Sequence, residues 1–185
     1  RYVSRAGLKL AGAAKAFNLN FRGKTVLDVG SSTGGFTDFA LQHGAKKVYA
    51  VDVGTDQLHP SLRGNKRIEL YEKTDIRDFV PSEIPDIVVI DVSFISLRQI
   101  LPHVAKIVDK NTMIVAMVKP QFEAQRQQLT RGGIVKNDGV RRAILREFEQ
   151  WARANFIIIN KADSEVKGAH GNLERFYILR KAGSY

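Results

Sequence analysis

An α/β, doubly wound fold with a mostly parallel seven-stranded sheet is predicted by three features of the sequence. Short β-branched runs alternate with amphipathic stretches, a Gly-rich turn follows the first run, and the last two runs are joined too closely for a crossover helix. The runs Thr25–Val29 and Lys47–Val51 flank that turn and an amphipathic stretch, Thr37–His43, which stops at Gly44, so together they read as a βαβ unit. Further strands are expected at Ile68–Tyr71, Ile87–Asp91, Met113–Lys119, Phe156–Ala162 and Arg175–Arg180, and helices at Arg5–Phe17, Leu97–Val108 and Val140–Asn155. Asp163–Asn172 is short, so the final two strands should pair as a C-terminal antiparallel hairpin. Pro120–Asn137, with Gly132 and Gly133, reads as one long irregular stretch, a length at which loops are usually functional or mobile.

The chain has 185 residues, 44% of them hydrophobic, enough for one full core and one expected domain over 1–185. There is no cysteine, and four scattered histidines offer no metal-ligand spacing, so no metal is expected. No apolar run approaches the roughly 18 residues of a membrane span and no signal segment opens the chain, which makes the cytoplasm the expected location. The net charge of +10 favours a polyanionic partner. Six basic residues and no acid lie between Arg1 and Val26, and a second basic stretch runs from Arg126 to Arg146 with Asp138 as its only acid. Arg5, Lys15, Arg131, Arg141 and Arg142 are the expected contacts to nucleic-acid phosphates, against the plainer reading of a solvated basic surface.

The first strand runs into Asp28, Val29, Gly30, Ser31, Ser32, Thr33, Gly34, Gly35 and Phe36, a turn that opens a helix as a nucleotide-like ligand requires. Gly30, Gly34 and Gly35 are its essential members, since a Cβ could block the turn or a close contact. Asp52 ends the second strand, where a carboxylate can accept hydrogen bonds from ribose hydroxyls, and Asp75 could meet an adenine amino group. The loop lacks the G-x-G-x-x-G of a pyrophosphate site and carries an acid at Asp28, which suits the ammonium of S-adenosylmethionine (SAM) better than a nicotinamide dinucleotide.

Lys9, Asp91, Lys119 and Glu174 sit at element ends that one crevice could gather. Singly, each also fits as a surface lysine, a helix cap, a strand-end charge or a cross-strand partner. Together with their surroundings they resemble the FtsJ-like ribose 2′-O-methyltransferases, and within that family the TlyA or hemolysin A branch. The matching segments are Ser4–Leu10, Asp28–Phe36, Asp91–Leu97, Met117–Glu123 and Lys167–Glu174, and the likeness covers nearly the whole chain. It implies a Lys-Asp-Lys-Glu catalytic tetrad at Lys9, Asp91, Lys119 and Glu174, with Glu165 as the alternative acid, Asp91 also contacting SAM, and ribosomal RNA or ribosomal subunits as partner. Full-length members usually begin with a small RNA-binding domain, and the expectation is of a methyltransferase domain without it.

The expected mechanism is in-line methyl transfer in which Lys119 orients the ribose hydroxyl and accepts its proton, with Asp91 as the alternative acceptor. Phe94 and Phe122 either stack on a base or anchor their loops, and Gln121–Lys136 could close over the substrate. Competing readings are a base N-methyltransferase, for which Asp91-Val-Ser-Phe94 lacks both prolines of the usual motif, a non-catalytic SAM- or RNA-binding protein, a membrane-active hemolysin, and a nicotinamide oxidoreductase.

Overall fold

A computed structural model describes residues 1–183, so positions 184 and 185 of the expected domain span lie outside the described residues. Its strands are β1 (Thr25–Val29), β2 (Lys47–Val51), β3 (Ile68–Tyr71), β4 (Ile87–Ile90), β5 (Met113–Val118), β6 (Phe156–Asp163) and β7 (Arg175–Lys181). They form one sheet in the order β3-β2-β1-β4-β5-β7-β6. The first five strands are parallel, and β7 runs antiparallel to both β5 and β6. This is the doubly wound sheet and terminal hairpin that the sequence predicts. The helices are α1 (Arg5–Phe17), α2 (Gly35–Gln42), α3 (Leu97–Ile107), α4 (Pro120–Glu123) and α5 (Asp138–Ala152).

Side-chain alternation along each strand divides the core between the two faces of the sheet. Leu27, Val29, Val88, Ile90, Ile114 and Tyr177 pack against α3 and α5 through Leu101, Val104, Leu145 and Phe148. Val26, Val89, Val115, Met117 and Phe176 pack against α1 and α2 through Leu10, Phe36 and Phe39. Because both faces are covered, β1 and β4 are buried along their whole length, and β4 reads as an unbroken apolar run, whereas β1 carries the buried Thr25 and Asp28.

Several boundaries differ from the sequence expectation. Strand β4 ends at Ile90 and β5 at Val118, so Asp91 and Lys119 stand just beyond the ladder. Pro120 has no N–H to offer a sheet and instead occupies the first turn of α4. The stretch expected to be irregular to Asn137 therefore holds α4, a 3-10 turn at Arg126–Gln128, and a bridge between Leu129 and Val135 around the two glycines. Helix α5 starts at Asp138 because the Asn137 side chain accepts a hydrogen bond from Val140 N at 2.8 Å and caps it. The side chain of Glu123 is covered and accepts from Leu97 N at 2.8 Å and from Ser96 Oγ at 2.6 Å, which fastens α4 to the start of α3. Among the described residues, no helix is long and apolar enough to cross a membrane, and no group of three or more potential ligands could hold a metal ion.

Candidate active site

The strand order reverses between β1 and β4, and a crevice of about 470 Å³ opens there at the carboxyl ends of the strands. Gly30, Ser32, Asp52, Asp75, Asp91 and Phe94 are among its walls. Gly30 leaves β1 at φ +82°, and a Cβ on it would collide with the carbonyl oxygen of Asp91. Gly30 N and Ser31 N both donate to Val51 O, at 2.9 and 3.1 Å, which locks the turn onto β2. Ser32 turns the loop at φ +51°, Thr33 is exposed with its carbonyl accepting from His59 N, and Gly34 is the residue before α2. A Cβ on Gly35 would meet Ser4 Oγ and Gly7 N, so this glycine serves the contact between α2 and α1 and not the crevice. Phe36 likewise points into the core, its ring centre 6.3 Å from that of Phe176.

Three carboxylates surround the turn in different states. Asp28 is 1% exposed; its Oδ2 accepts from Thr37 Oγ1 at 2.6 Å, while Oδ1 has no hydrogen-bond partner among the described residues. Burial pushes its carboxyl up to about 7, against the lowering effect of Thr37, and the charges of Asp91 and Asp52 add to the rise. Asp52 accepts from Ser32 N at 3.0 Å and from Gly54 N at 2.8 Å, one bond to each oxygen, which leaves each oxygen a further lone pair. Asp75 borders the crevice, but its carboxylate is taken up by Arg77 at 2.7 Å and held below the ordinary carboxylate range by that guanidinium.

Alternation also gathers the remaining charged groups. Asp28, Asp91, Lys119 and Glu174 share strand parity with Val26, Val89, Met117 and Phe176, so all four belong to the sheet face that α1 covers with Lys9. Apart from Asp28, they resolve into two ion pairs. Lys9 Nζ donates to Glu174 Oε1 at 3.0 Å, with Glu174 1% exposed. Lys119 Nζ lies 2.7 Å from Asp91 Oδ1 and directs a hydrogen bond to Ser93 Oγ at 3.0 Å. Gln121, expected from the sequence only as the start of a loop that could close over the substrate, donates from Nε2 to Glu174 Oε2 at 3.0 Å, and its own Oε1 is buried without a partner among the described residues. Its position two residues after Lys119, in a segment that carries the family resemblance, was the available signal. Glu165 is exposed beside Gly12 of α1, and Lys9 pairs with Glu174 instead.

At the rim, Phe94 is 89% exposed and held at φ +63°, with its ring centre 5.0 Å from Phe122. Lys119 Nζ lies 5.9 Å from the centre of the Phe122 ring. Of the expected RNA contacts, Arg5, Lys15, Arg131 and Arg142 are exposed. Arg141 is not: it is buried, donating to Leu173 O at 3.0 Å and to Asp163 Oδ1 at 2.5 Å, so its charge is spent on joining α5 to the β6–β7 hairpin.

The profile described as FtsJ-like methyltransferase matches residues 2–182. Hemolysin A of Brachyspira hyodysenteriae is 44% identical over 94% of this chain and 75% of its own length. The 23S rRNA (cytidine-2′-O)-methyltransferase TlyA of Campylobacter jejuni is 40% identical over 97% of this chain and 71% of its own. A solved structure from Streptococcus thermophilus, described as a candidate hemolysin, is 44% identical and superposes with a TM-score of 0.94 over all of this chain and 68% of that one. The chain thus spans between two thirds and three quarters of these relatives.

Proposed function

The chain belongs to the FtsJ-like methyltransferase family, and from that premise we propose that it transfers a methyl group from SAM to a ribose 2′-hydroxyl of ribosomal RNA. The observation that carries the reading is the position of Asp91, which forms one wall of the crevice and pairs with Lys119 at 2.7 Å. The place for the methyl donor and the group that handles the acceptor's proton are therefore contiguous. Relatives named as rRNA 2′-O-methyltransferases support the choice of acceptor.

The residues present fit SAM. The unpartnered Asp28 Oδ1 is a buried acceptor suited to an ammonium, and the free lone pairs of Asp52 suit two ribose hydroxyls. The volume of the crevice, about 470 Å³, falls within the range of cofactor sites. The Gly30 turn, with Asp28 buried behind it and outside the crevice lining, would hold the amino-acid end, Asp52 the ribose, and the apolar wall of Ile76, Ile95 and Ile100 the adenine. When bound, SAM supplies an electrophilic methyl on a sulfonium, open to in-line displacement.

The chain's own residues supply alignment and proton handling. Ser93 and Asp91 fix the Lys119 side chain, and Glu174, itself held by Gln121, fixes Lys9. To act as acceptor, Lys119 Nζ must first give up one of its own protons to water; its freed lone pair would then take the hydroxyl proton as the ribose oxygen displaces the sulfur from the methyl, and the ammonium re-forms beside Asp91 Oδ1. The exposed ring of Phe94, paired with Phe122, offers a stacking surface for the acceptor base next to Lys119. Exposed Arg5, Lys15 and Arg131 supply phosphate contacts without base readout.

Calorimetric titration with SAM and, separately, NAD tests the cofactor, followed by methyl transfer to ribosomal RNA from labelled SAM. Saturable SAM binding, no NAD binding and label in RNA are expected. Binding of NAD, or SAM binding without transfer to RNA, would contradict the reading.

A further inference from the structure

Outside the candidate active site, a second concentration of charge lies over α5, where Arg142, Arg146, Lys161 and Arg175 line an opening of about 210 Å³ floored by Leu145 and Glu149. Glu149 is the only carboxylate of that lining, and it is already engaged. Tyr177 Oη donates to it at 2.6 Å and Lys161 Nζ at 3.0 Å, while Arg175 and Arg153 stand 3.6 and 3.7 Å away. Burial pushes the Glu149 carboxyl up, but the hydrogen bonds from Tyr177 and Lys161 and the charges of Lys161 and Arg153 outweigh it and keep the group anionic. It therefore acts as a fixed anchor for basic side chains. Asp163 is likewise shared by Arg141 and Arg175, and Asp138 is exposed beside Arg142. Arg146 makes no ion pair or side-chain hydrogen bond among the described residues, so the opening keeps a surplus of positive charge held at short range.

The chemistry of such a place is that of an oxyanion site. Guanidinium groups present paired N–H donors that match phosphate oxygens. The opening is smaller than the roughly 300 Å³ at which small-molecule sites begin, so it suits a group on a larger molecule rather than a free metabolite. Its location identifies that molecule. Arg175 directly follows Glu174 on β7, and alternation turns the two side chains to opposite faces of the same end of the sheet, with Cα atoms about 3.8 Å apart. The opening and the buried Lys9–Glu174 pair therefore lie on opposite faces of the same end of the sheet.

We propose that the opening over α5 is a phosphate-binding subsite for the RNA whose acceptor ribose lies at Lys119, gripping the backbone on the far face of the sheet. The proposal rests on the RNA methyltransferase reading and adds that the substrate must extend beyond the acceptor nucleotide, around the end of β7.

The test uses the double variant Arg142→Ala/Arg146→Ala, both exposed and outside the crevice, with filter binding of ribosomal RNA across a salt series. SAM affinity is measured alongside by calorimetry. Expected are a loss of RNA affinity of about tenfold at moderate salt, a slope of log affinity on log salt shallower by about 1, and SAM affinity within twofold of the parent. Partial recovery by Arg142→Lys/Arg146→Lys is expected as well. Equal RNA affinity and salt slope in parent and Ala variant would overturn the subsite while leaving the methyl-transfer reading intact. If the Ala variant weakens RNA binding but the parent transfers no methyl to RNA, the subsite stands and the reaction assigned above falls. A parent that binds no RNA overturns both.

Discussion

Gln121 Nε2 donates a 3.0 Å hydrogen bond to Oε2 of Glu174, whose other oxygen receives the Lys9 ammonium at the same distance. The segment that carries Lys119 is thereby tied to the second ion pair, and Gln121 is a positioning residue for both. Gln121→Leu would leave Glu174 Oε2 buried and unpartnered, a defect worth about 1 to 3 kcal/mol. The expected result is a lower Tm together with roughly tenfold slower turnover at unchanged SAM affinity. Gln121→Glu, which sets carboxylate against carboxylate, should be slower still. Turnover unchanged in both, with only Tm reduced, would make Gln121 a purely structural group.

Lys119 is proposed to take the hydroxyl proton, and its replacement should separate chemistry from binding. In Lys119→Ala, turnover should be lost while SAM affinity stays within a few fold, because Asp52 and Asp28 remain. Lys119→Arg supplies the charge but cannot give up a proton, so it should not restore activity. An active Arg variant, assayed by label transfer, would reduce Lys119 to a purely electrostatic role.

The burial of Asp28 predicts a pH dependence with a definite sign. Its carboxyl is raised from the ordinary 3.8 to about 7, so the folded state binds this proton more tightly than the unfolded chain. Stability from this group is fully present below about pH 4 and is lost as pH rises toward 7, by an amount on the order of a few kcal/mol. Asp28→Asn should abolish that slope in denaturant melts. If the ionised form receives the SAM ammonium, SAM affinity should instead rise with pH up to about 7 and become flat in the Asn variant. A parent affinity that does not vary between pH 5.5 and 8 would remove Asp28 from the cofactor site.

Phe94 is almost fully exposed and sits at a positive φ that a bulky residue rarely adopts. Losing its ring should therefore cost the fold little. Phe94→Ala is expected to keep Tm and SAM affinity while lowering kcat/KM for ribosomal RNA by the roughly 1 to 3 kcal/mol of a base stack, about 5- to 150-fold. Unaltered kinetics would assign the ring to anchoring its loop against Phe122.

The parts legible in the sequence are those governed by local pattern. The β-branched runs and the short final connection specify the sheet and its hairpin, and the glycines specify the turn after β1. Partnership across the sheet is not written locally. Nothing near Arg141 reveals that Asp163 and Leu173 will engage it, and nothing near Asp75 except Arg77 shows that its carboxylate will be occupied. Phe36 reads as part of the turn because it adjoins it, yet one step along α2 rotates its ring into the core beside Phe176. Gln121 escapes notice for the same reason, since its partner Glu174 is 53 residues away. The charged group at the site was accessible to one rule not tied to neighbours, the alternation that gives Asp28, Asp91, Lys119 and Glu174 a common face.

The central claim concerns which atom receives the methyl. Ribosomal subunits incubated with the protein and labelled SAM, followed by nuclease digestion and mass spectrometry of the nucleosides, locate it directly. Label is expected on a ribose 2′-oxygen, and is expected to be absent when Lys119→Ala replaces the parent. Label on a base, or transfer that survives in Lys119→Ala, would contradict it.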